Sequence, residues 1–178
     1  MVPGLIAEIY RRDELSINLP HLCDRAGVAF VQAEIIGVDS QRQHLLLHER
    51  PSLRFGVLSL DVGAVTRNAD NLSGVPIKPL EEALHFLSLQ DPDDPEPFRI
   101  VGAGAAGIEV ALALRRRWPH RALEVQTRPE QLDAGTKAIL RRAHIHCVTN
   151  ASEHATLLCT GSRAPSWLAE SGFAVDHD

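Results

Sequence analysis

The stretch FRIVGAGAAGIEVALALRRRW, residues 98–118, joins a short apolar run, a glycine-rich turn and a helix-type pattern. Within it, Gly102, Gly104 and Gly107 have the G-x-G-x-x-G spacing of a dinucleotide-binding turn. In such a turn the first glycine permits a tight bend, the second lets the backbone approach a pyrophosphate, and the third lets the helix pack close to the strand. N–H groups at the start of the helix face the anion. The stretch therefore predicts a nucleotide-binding turn, and the alternative is a turn whose glycines are purely structural.

Strand-type and helix-type patterns continue to alternate after this turn. The predicted elements are a strand over 122–127, a helix over 129–143, a strand over 144–148 and a strand over 155–160 that ends at Gly161. Strand, helix, strand, helix and strand in this order predict an α/β fold with a parallel, Rossmann-like sheet. The three arginines at 115–117 are interpreted as solvated cations that match the dipole at the end of the first helix.

The first half of the chain has a different pattern. Asn18 and Gly27 are a suitable cap and stop for a short helix. Apolar runs at hairpin spacing predict a three-stranded β-meander, with strands over 28–38, 44–49 and 54–64. A helix over 79–90 and an acidic, proline-rich break over 91–97 follow, and the break is the predicted domain boundary.

Composition restricts the classes of function. The chain has 178 residues, of which 44% are hydrophobic and 23% charged, as in a soluble globular protein. A net charge of −5, the lack of a basic tract and 4% aromatic residues argue against a nucleic-acid partner. Three cysteines without a C-x-x-C motif favour a reducing, cytoplasmic location, and no apolar run is long enough to cross a bilayer.

The end of the second predicted strand bears on the choice of nucleotide. An acidic residue about 20 residues beyond the turn would bind the ribose 2′-hydroxyl of NAD. Thr127 and Arg128 stand there instead, with Glu124 inside the strand and Glu130 beyond it. Threonine and arginine suit a 2′-phosphate, so the sequence favours NADP over NAD. NAD stays open because Glu130 could turn toward the ribose.

Three segments together resemble the pyridine nucleotide-disulfide oxidoreductase family. They are the glycine turn, the run VLSLDVGA at 57–64, and the run ATLLCTGSRAP at 155–165. Within the family, the segments MVPGLIA at 1–7 and GVPIKPLEEALHFL at 74–87 look like those of type II NADH dehydrogenase-like proteins, in the subgroup associated with selenophosphate synthetase. The resemblance implies an NAD(P)-binding domain inserted into an FAD domain, and a selenophosphate synthetase domain as a possible partner.

This resemblance implies three domain ranges and a function. Residues 1–90 would be a partial FAD-domain segment that contains the β-meander, 98–154 the NAD(P)-binding domain, and 155–178 a return toward the FAD domain. The parent protein would be an FAD-dependent NAD(P)H oxidoreductase that passes hydride to flavin and on to an acceptor such as a quinone. No second G-x-G-x-x-G motif is present for the ADP half of FAD, so the chain resembles an internal fragment. The alternative is a non-catalytic NAD(P)(H)-binding regulatory module.

The predicted cofactor-binding residues come from the turn, the helix after it, the end of the second strand and the later crossing. They are Gly102, Ala103, Gly104, Ala105, Ala106, Gly107, Glu109, Thr127, Arg128 and Gly161. The resemblance implies that Glu109 lies near the nicotinamide, whereas a simpler interpretation is charge compensation at a helix N-terminus. His144 and His146 would share one face of a strand, but further ligands at a convincing spacing are lacking and no metal site is predicted.

Overall fold

The computed structural model describes residues 2–67, 69–150 and 154–175, without the side chains of residues 71 and 129. The chain divides into two compact units. The first unit comprises Met1–Leu15 and Thr66–Ser162, and the second comprises Ser16–Val65 and Arg163–Asp178. Each unit is described by itself below.

Six α-helices and ten β-strands are assigned among the described residues. The helices are α1 (Val2–Ile6), α2 (Leu19–Ala26), α3 (Leu80–Ser88), α4 (Ala105–Arg117), α5 (Ala134–Arg142) and α6 (Ser166–Glu170). The strands are β1 (Ile35–Asp39), β2 (His44–Leu47), β3 (Arg50–Arg54), β4 (Val65–Thr66), β5 (Val75–Pro76), β6 (Phe98–Val101), β7 (Leu123–Gln126), β8 (Ile145–Val148), β9 (Thr156–Leu158) and β10 (Ser162–Arg163). No helix among the described residues has the length and apolar composition needed to span a bilayer.

The first unit contains a five-stranded parallel sheet with the order β5, β9, β6, β7, β8. This confirms the predicted α/β fold with a parallel, Rossmann-like sheet. The chain leaves β6 toward β7 and β8 on one side and returns to β9 on the other side of β6. Open α/β sheets bind ligands at such a point, outside the carboxyl ends of the strands where the strand order reverses.

The core of the first unit explains why α4 forms where the sequence predicts it. Val110, Ala111 and Leu114 recur at helical spacing, and all three are buried. Phe98 and Trp118 stack edge to face at the two ends of the β6–α4 segment, with ring centroids 5.0 Å apart. Strand and helix are thus fixed at both ends, which positions the turn between them.

The arginines that end α4 are not simply solvated, so that interpretation is wrong for two of the three. The Arg115 guanidinium donates hydrogen bonds of 2.9–3.0 Å to the backbone carbonyls of Trp118, Pro119, Arg121, Ala143 and His144. Arg117 pairs with Glu8 at 3.1 Å, and its side chain is 14% exposed. Of the three arginines that end α4, only Arg116 is exposed to solvent. Arg115 therefore ties the end of α4 to the segments that lead into β7 and β8.

The second unit contains the β-meander β1–β2–β3, which is antiparallel as predicted, but its strands are shifted. The predicted strand over 54–64 is wrong, and β3 occupies Arg50–Arg54 instead. Glu49 has a φ of 52°, so the chain turns back directly after β2, and Arg54 pairs with His44 at the far end of that strand. The Phe55 N–H still bonds to the Gln43 carbonyl at 2.9 Å, but residues 55–64 then continue past the end of β2 and form no strand.

The first strand is also shorter than predicted, for the same reason. β1 spans Ile35–Asp39, because Ile35 is already opposite Leu47, close to the turn that ends β2. Earlier residues of the run 28–38 lie beyond that turn and have no strand to pair with. In contrast, α2 is confirmed: the Asn18 side chain accepts a hydrogen bond from the His21 N–H, and Gly27 takes the left-handed conformation at the other end.

The predicted helix over 129–143 begins later than expected. The Asp133 carboxylate accepts a hydrogen bond from the Thr136 N–H at 2.9 Å and so caps α5, whereas residues 129–131 form a separate 3₁₀ turn. His144 has a φ of 53° and precedes β8, so His144 and His146 do not share one strand face. In the described part of the chain, no group of three possible metal ligands comes together.

The compact units divide the chain differently from the predicted domain ranges. Residues 66–97 pack in the first unit together with 98–154, so the acidic segment 91–97 does not separate two compact units. The assignment of residues 1–90 to a flavin domain is based on resemblance rather than on packing, and it stays a prediction.

Candidate nucleotide-binding site

The glycine turn lies at the point where the strand order of the first unit reverses. The Gly102 N–H donates to the Gln126 carbonyl at 3.1 Å, and the Cys159 N–H donates to the Val101 carbonyl at 2.7 Å. These bonds bring together the carboxyl ends of β7, β6 and β9, which we call the carboxyl edge. The turn therefore occupies the position at which sheets of this kind bind ligands.

Gly102 and Gly107 are required by close packing. A Cβ atom on Gly102 would lie 2.4 Å from the Cys159 carbonyl oxygen, and the residue has a φ of 105°. A Cβ atom on Gly107 would lie 2.1 Å from the Gly102 carbonyl oxygen. Both distances are far below van der Waals contact. The first glycine thus permits the bend and the third permits the approach of α4 to the turn.

Gly104 differs from the other two glycines. A Cβ atom there would have no heavy atom within 4 Å, and its φ of −66° and ψ of 173° are open to any residue. The packing of the described residues does not require glycine here. The open space in front of Gly104 is available to a ligand, which is the role that the sequence pattern predicts for the second glycine.

The N-terminus of α4 presents donors to this space. The N–H groups of Ala105, Ala106 and Gly107 have no partner within the helix, because the first bond of the helix runs from the Ile108 N–H to the Gly104 carbonyl. No side chain caps the helix, and its first turn holds no acidic residue. Ala105 and Ala106 are exposed, and Ala103 packs partly against the core. The arrangement suits an anion such as a pyrophosphate.

Thr127 and Arg128 follow β7 at the same edge. The Thr127 N–H donates to the Val148 carbonyl at 2.9 Å, which fixes the backbone there. The Arg128 side chain is exposed and makes no ion pair or hydrogen bond with any described residue. Because no described residue pairs with this guanidinium, it is available to a ligand.

Neither glutamate near β7 has the position expected for binding a ribose. The Glu124 carboxylate pairs with Arg99 at 2.5 Å, and the two side chains are only 18% and 5% exposed. Arg99 also donates to the Asn150 carbonyl at 3.0 Å. Glu124 is therefore part of a structural network, while Glu130 lies exposed in the 3₁₀ turn after Thr127 and Arg128.

Glu109 is exposed on α4. It lines a mainly apolar groove of about 590 Å³ together with Ile9, Tyr10, Leu112 and Arg116. No described residue donates a hydrogen bond to its carboxylate or forms an ion pair with it. Its role near a nicotinamide stays a prediction.

Gly161 follows β9 with a φ of 97° and is exposed. Its carbonyl accepts a hydrogen bond from the Arg67 N–H at 3.0 Å, and the Thr160 hydroxyl donates to the Arg67 carbonyl. These bonds hold residues 159–161 at the carboxyl edge. Sequence reasoning did not identify the close approach of the Cys159 backbone to Gly102, because the two residues are remote in the chain.

Cys159 is buried beside the turn, with 5% of its surface exposed. Burial raises the pKa of the Cys159 thiol to about 12, which keeps the thiol protonated and unreactive at neutral pH. The exposed Cys147 also has a raised pKa, since partial burial outweighs the opposing effect of Lys137. Neither thiol is an activated nucleophile.

The raised pKa of Cys159 predicts a loss of stability at alkaline pH. In the unfolded chain the thiol ionises at its ordinary pKa of about 8.5, whereas the folded state keeps its proton up to about 12. Between these values the unfolded state binds fewer protons, so the free energy of unfolding falls by at most about 1.4 kcal/mol per pH unit. Urea denaturation at pH about 8 and about 10.5 measures this fall, which we expect to be smaller in Cys159→Ala. An equal fall in the variant would contradict the assignment.

Comparisons with known proteins identify the fold. No family model matches the sequence, and no curated protein matches it. Three solved structures illustrate the matches in fold. A chain of the covalent putidaredoxin reductase–putidaredoxin complex has a TM-score of 0.76 and 14% identity, over 98% of this chain and 52% of that chain.

The second structure is the HOCl-induced flavoprotein disulfide reductase from Escherichia coli, with a TM-score of 0.61 and 18% identity over 99% of this chain and 51% of that chain. The third is an engineered water-forming NADPH oxidase bound to NADPH, with a TM-score of 0.72 and 15% identity over 95% of this chain and 46% of that chain. At these identities the likeness establishes the fold. The chain spans about half the length of the structures it matches.

Proposed function

We propose that this chain is the pyridine-nucleotide-binding part of an FAD-dependent NAD(P)H oxidoreductase and that NADPH is its nucleotide. The observation that carries the proposal is the open glycine turn at the carboxyl edge, where the space in front of Gly104 meets the uncapped N-terminus of α4. The fold also supports this proposal, because reductases and an oxidase bound to NADPH share it.

The turn binds the pyrophosphate through its backbone. The N–H groups of Ala105, Ala106 and Gly107 donate to the phosphate oxygens, and the positive end of the α4 dipole adds to their attraction. Gly104 lets the phosphate approach within hydrogen-bond distance because no side chain intervenes. Gly102 and Gly107 keep the turn tight, and so set the position from which the nicotinamide extends.

Arg128 selects NADPH by binding the 2′-phosphate. Arginine binds phosphate oxygens in a bidentate manner, and this guanidinium has no competing partner among the described residues. Glu124, the acid within β7, is held by Arg99 and does not reach the ribose. The engineered NADPH oxidase provides indirect support, since two of its five substitutions introduce arginine.

The substitution Arg128→Ala tests the choice of nucleotide. We expect the NADPH dissociation constant to rise about 10- to 100-fold, because a charge-assisted phosphate contact is lost, while NADH binding changes by less than about threefold. Fluorescence titration with both nucleotides measures the two constants. Arg142→Ala is the matched control, because it removes another exposed arginine from the end of α5. Equal losses for NADPH and NADH in Arg128→Ala would contradict the proposed selectivity.

In this proposal the flavin is bound by residues of the enzyme other than the nucleotide-binding residues named above. This chain has no second G-x-G-x-x-G motif to bind the ADP half of FAD. When bound, FAD supplies a hydride acceptor that passes electrons on to a substrate such as a quinone. The residues of this chain bind and orient the nucleotide, with Glu109 proposed to face the nicotinamide.

The branch of the family, the partner domain and the cellular location are also proposals. Resemblance supports the type II NADH dehydrogenase-like branch and a partnership with a selenophosphate synthetase domain. A reducing, cytoplasmic location is supported by three free cysteines, of which Cys159 is buried and Cys147 exposed.

A second function is favoured by one specific observation. The described site consists of groups that bind a nucleotide, namely the open turn at Gly104 and the uncapped N-terminus of α4. These groups also suit a non-catalytic module that binds NAD(P)(H) and regulates a partner.

Nucleotide titration followed by an activity assay separates the two functions. Purified protein is titrated with NADPH and NADH, and NADPH oxidation is then followed by the absorbance of the reduced nicotinamide, with added FAD and a water-soluble quinone. Oxidation above that of FAD alone supports the enzyme, and Gly104→Val provides the control without a nucleotide site. Binding without turnover supports the regulatory module. The absence of binding for either nucleotide would overturn both functions.

A further inference from the structure

Cys159 occupies a position that the glycine pattern does not include, yet it contacts two of the three glycines. Its carbonyl oxygen lies 2.4 Å and its carbonyl carbon 2.8 Å from the position of a Cβ atom on Gly102. Its own Cβ atom lies 3.4 Å from the corresponding position on Gly107. The end of β9 therefore packs directly against both the bend of the turn and the first part of α4.

The segment that carries Cys159 is held on several sides. The Cys159 N–H bonds to the Val101 carbonyl at 2.7 Å, next to the start of the turn. The Arg67 N–H bonds to the Gly161 carbonyl at 3.0 Å, and the Thr160 hydroxyl bonds to the Arg67 carbonyl. Because the segment is fixed, the strain from a larger side chain at position 159 would pass to the glycine turn.

The side chain of residue 159 lies in the apolar core of the first unit. Cys159 is 5% exposed and belongs to the apolar core, next to the fully buried Leu157 and Leu158. Close-packed interiors respond to added volume by shifting neighbouring atoms rather than by compression. The neighbour that the Cys159 side chain approaches is Gly107, at 3.4 Å between the two Cβ positions, and the close contact of Gly107 with the Gly102 carbonyl sets the distance between α4 and the turn.

We propose that Cys159 is a positioning residue of the nucleotide site, whose backbone carbonyl and small side chain form the wall against which the glycine turn is set. This inference rests on the proposed function, because it assumes that the turn binds a pyridine nucleotide. The size of residue 159 then determines affinity for the nucleotide without contact between its side chain and the ligand. Small residues preserve the site, and large residues displace the donors of α4 from the pyrophosphate.

A graded series at position 159 tests this inference. Cys159→Ala, Cys159→Val and Cys159→Leu are compared by NADPH titration and by thermal melting. We expect Cys159→Ala to bind within about twofold of the wild type, and Cys159→Leu to bind about tenfold more weakly, since small displacements of binding groups reduce affinity steeply. Cys159→Val should lie between them, and it replaces Cys159→Leu in the comparison if the latter does not fold.

Ala83→Val is the matched control. Ala83 is fully buried on α3 in the same core, and the change adds two heavy atoms, as Cys159→Leu does. A general effect of overpacking would lower the melting temperature and the affinity in both variants, whereas a positioning role lowers the affinity only at residue 159. Nucleotide binding by folded Cys159→Leu within about twofold of the wild type would overturn the inference, as would an equal loss in Ala83→Val. If the wild-type chain binds neither nucleotide, the proposed function fails instead.

Discussion

Gly104→Val is expected to abolish binding of NADPH and NADH while the protein stays folded. The valine side chain would occupy the open space in front of the turn, where the pyrophosphate must approach the N–H groups of α4. The backbone conformation of Gly104 suits valine, and no heavy atom lies within 4 Å of the new Cβ. We expect the dissociation constant to rise more than about 100-fold, with a stability loss of about 1 kcal/mol from the poorer helix cap.

Two measurements check this result. Nucleotide titration gives the loss of affinity, and thermal melting by circular dichroism should show a decrease of about 2–4 °C. Gly56→Val is the control, because it adds the same side chain at a position of the second unit where a Cβ also meets nothing within 4 Å. Unchanged nucleotide affinity in Gly104→Val would remove the turn as the binding site.

Gly107→Ala is expected to have the largest effect on stability. The new Cβ would lie 2.1 Å from the Gly102 carbonyl oxygen, a backbone atom that cannot rotate away. Helix α4 must move from the turn, and with it the buried Val110 and Leu114. Overpacking against side chains costs about 1–3 kcal/mol, and contact with a fixed backbone atom places this substitution at or above the upper end of that range.

Chemical denaturation measures the change in the free energy of unfolding. The matched control is Gly104→Ala, which makes the same substitution in the same turn where no atom is close. We expect the control to lose no more than about 1 kcal/mol, from the helix cap alone. Equal stabilities for the two variants would show that α4 does not approach the turn as closely as described.

The nucleotide-binding turn could be predicted from the sequence because its determinants are local. The spacing of Gly102, Gly104 and Gly107 and the pattern of buried residues after them specify a strand, a bend and a helix without reference to the rest of the chain. The sequence also predicts the parallel sheet, since the first two of the three strands in 98–148 are each followed by a helix of suitable length. The contact between Gly102 and Cys159 required the structure, because it depends on which strand lies beside β6.

The meander shows why strand positions were harder to predict. Apolar, β-branched runs at 28–38 and 54–64 have the composition of strands, but a strand also needs a neighbour. Because the chain turns at Glu49, β2 pairs with residues 35–39 and 50–54. The apolar residues in the rest of the two predicted runs therefore lie outside the sheet. The role of Arg115 was missed for a similar reason, because its guanidinium also bonds the carbonyls of Ala143 and His144, which are distant in the chain.

The segment that continues beyond β3 has a consequence for the behaviour of the protein at high concentration. Residues 55–64, FGVLSLDVGA, are apolar and β-type, form no strand among the described residues, and include Val57 at 93% exposure. Unpaired backbone in such a sequence can pair with the same segment of another molecule, which is how exposed strand edges begin aggregation. Asp61 is the only charged residue in the segment and thus the only gatekeeper within it against such self-association.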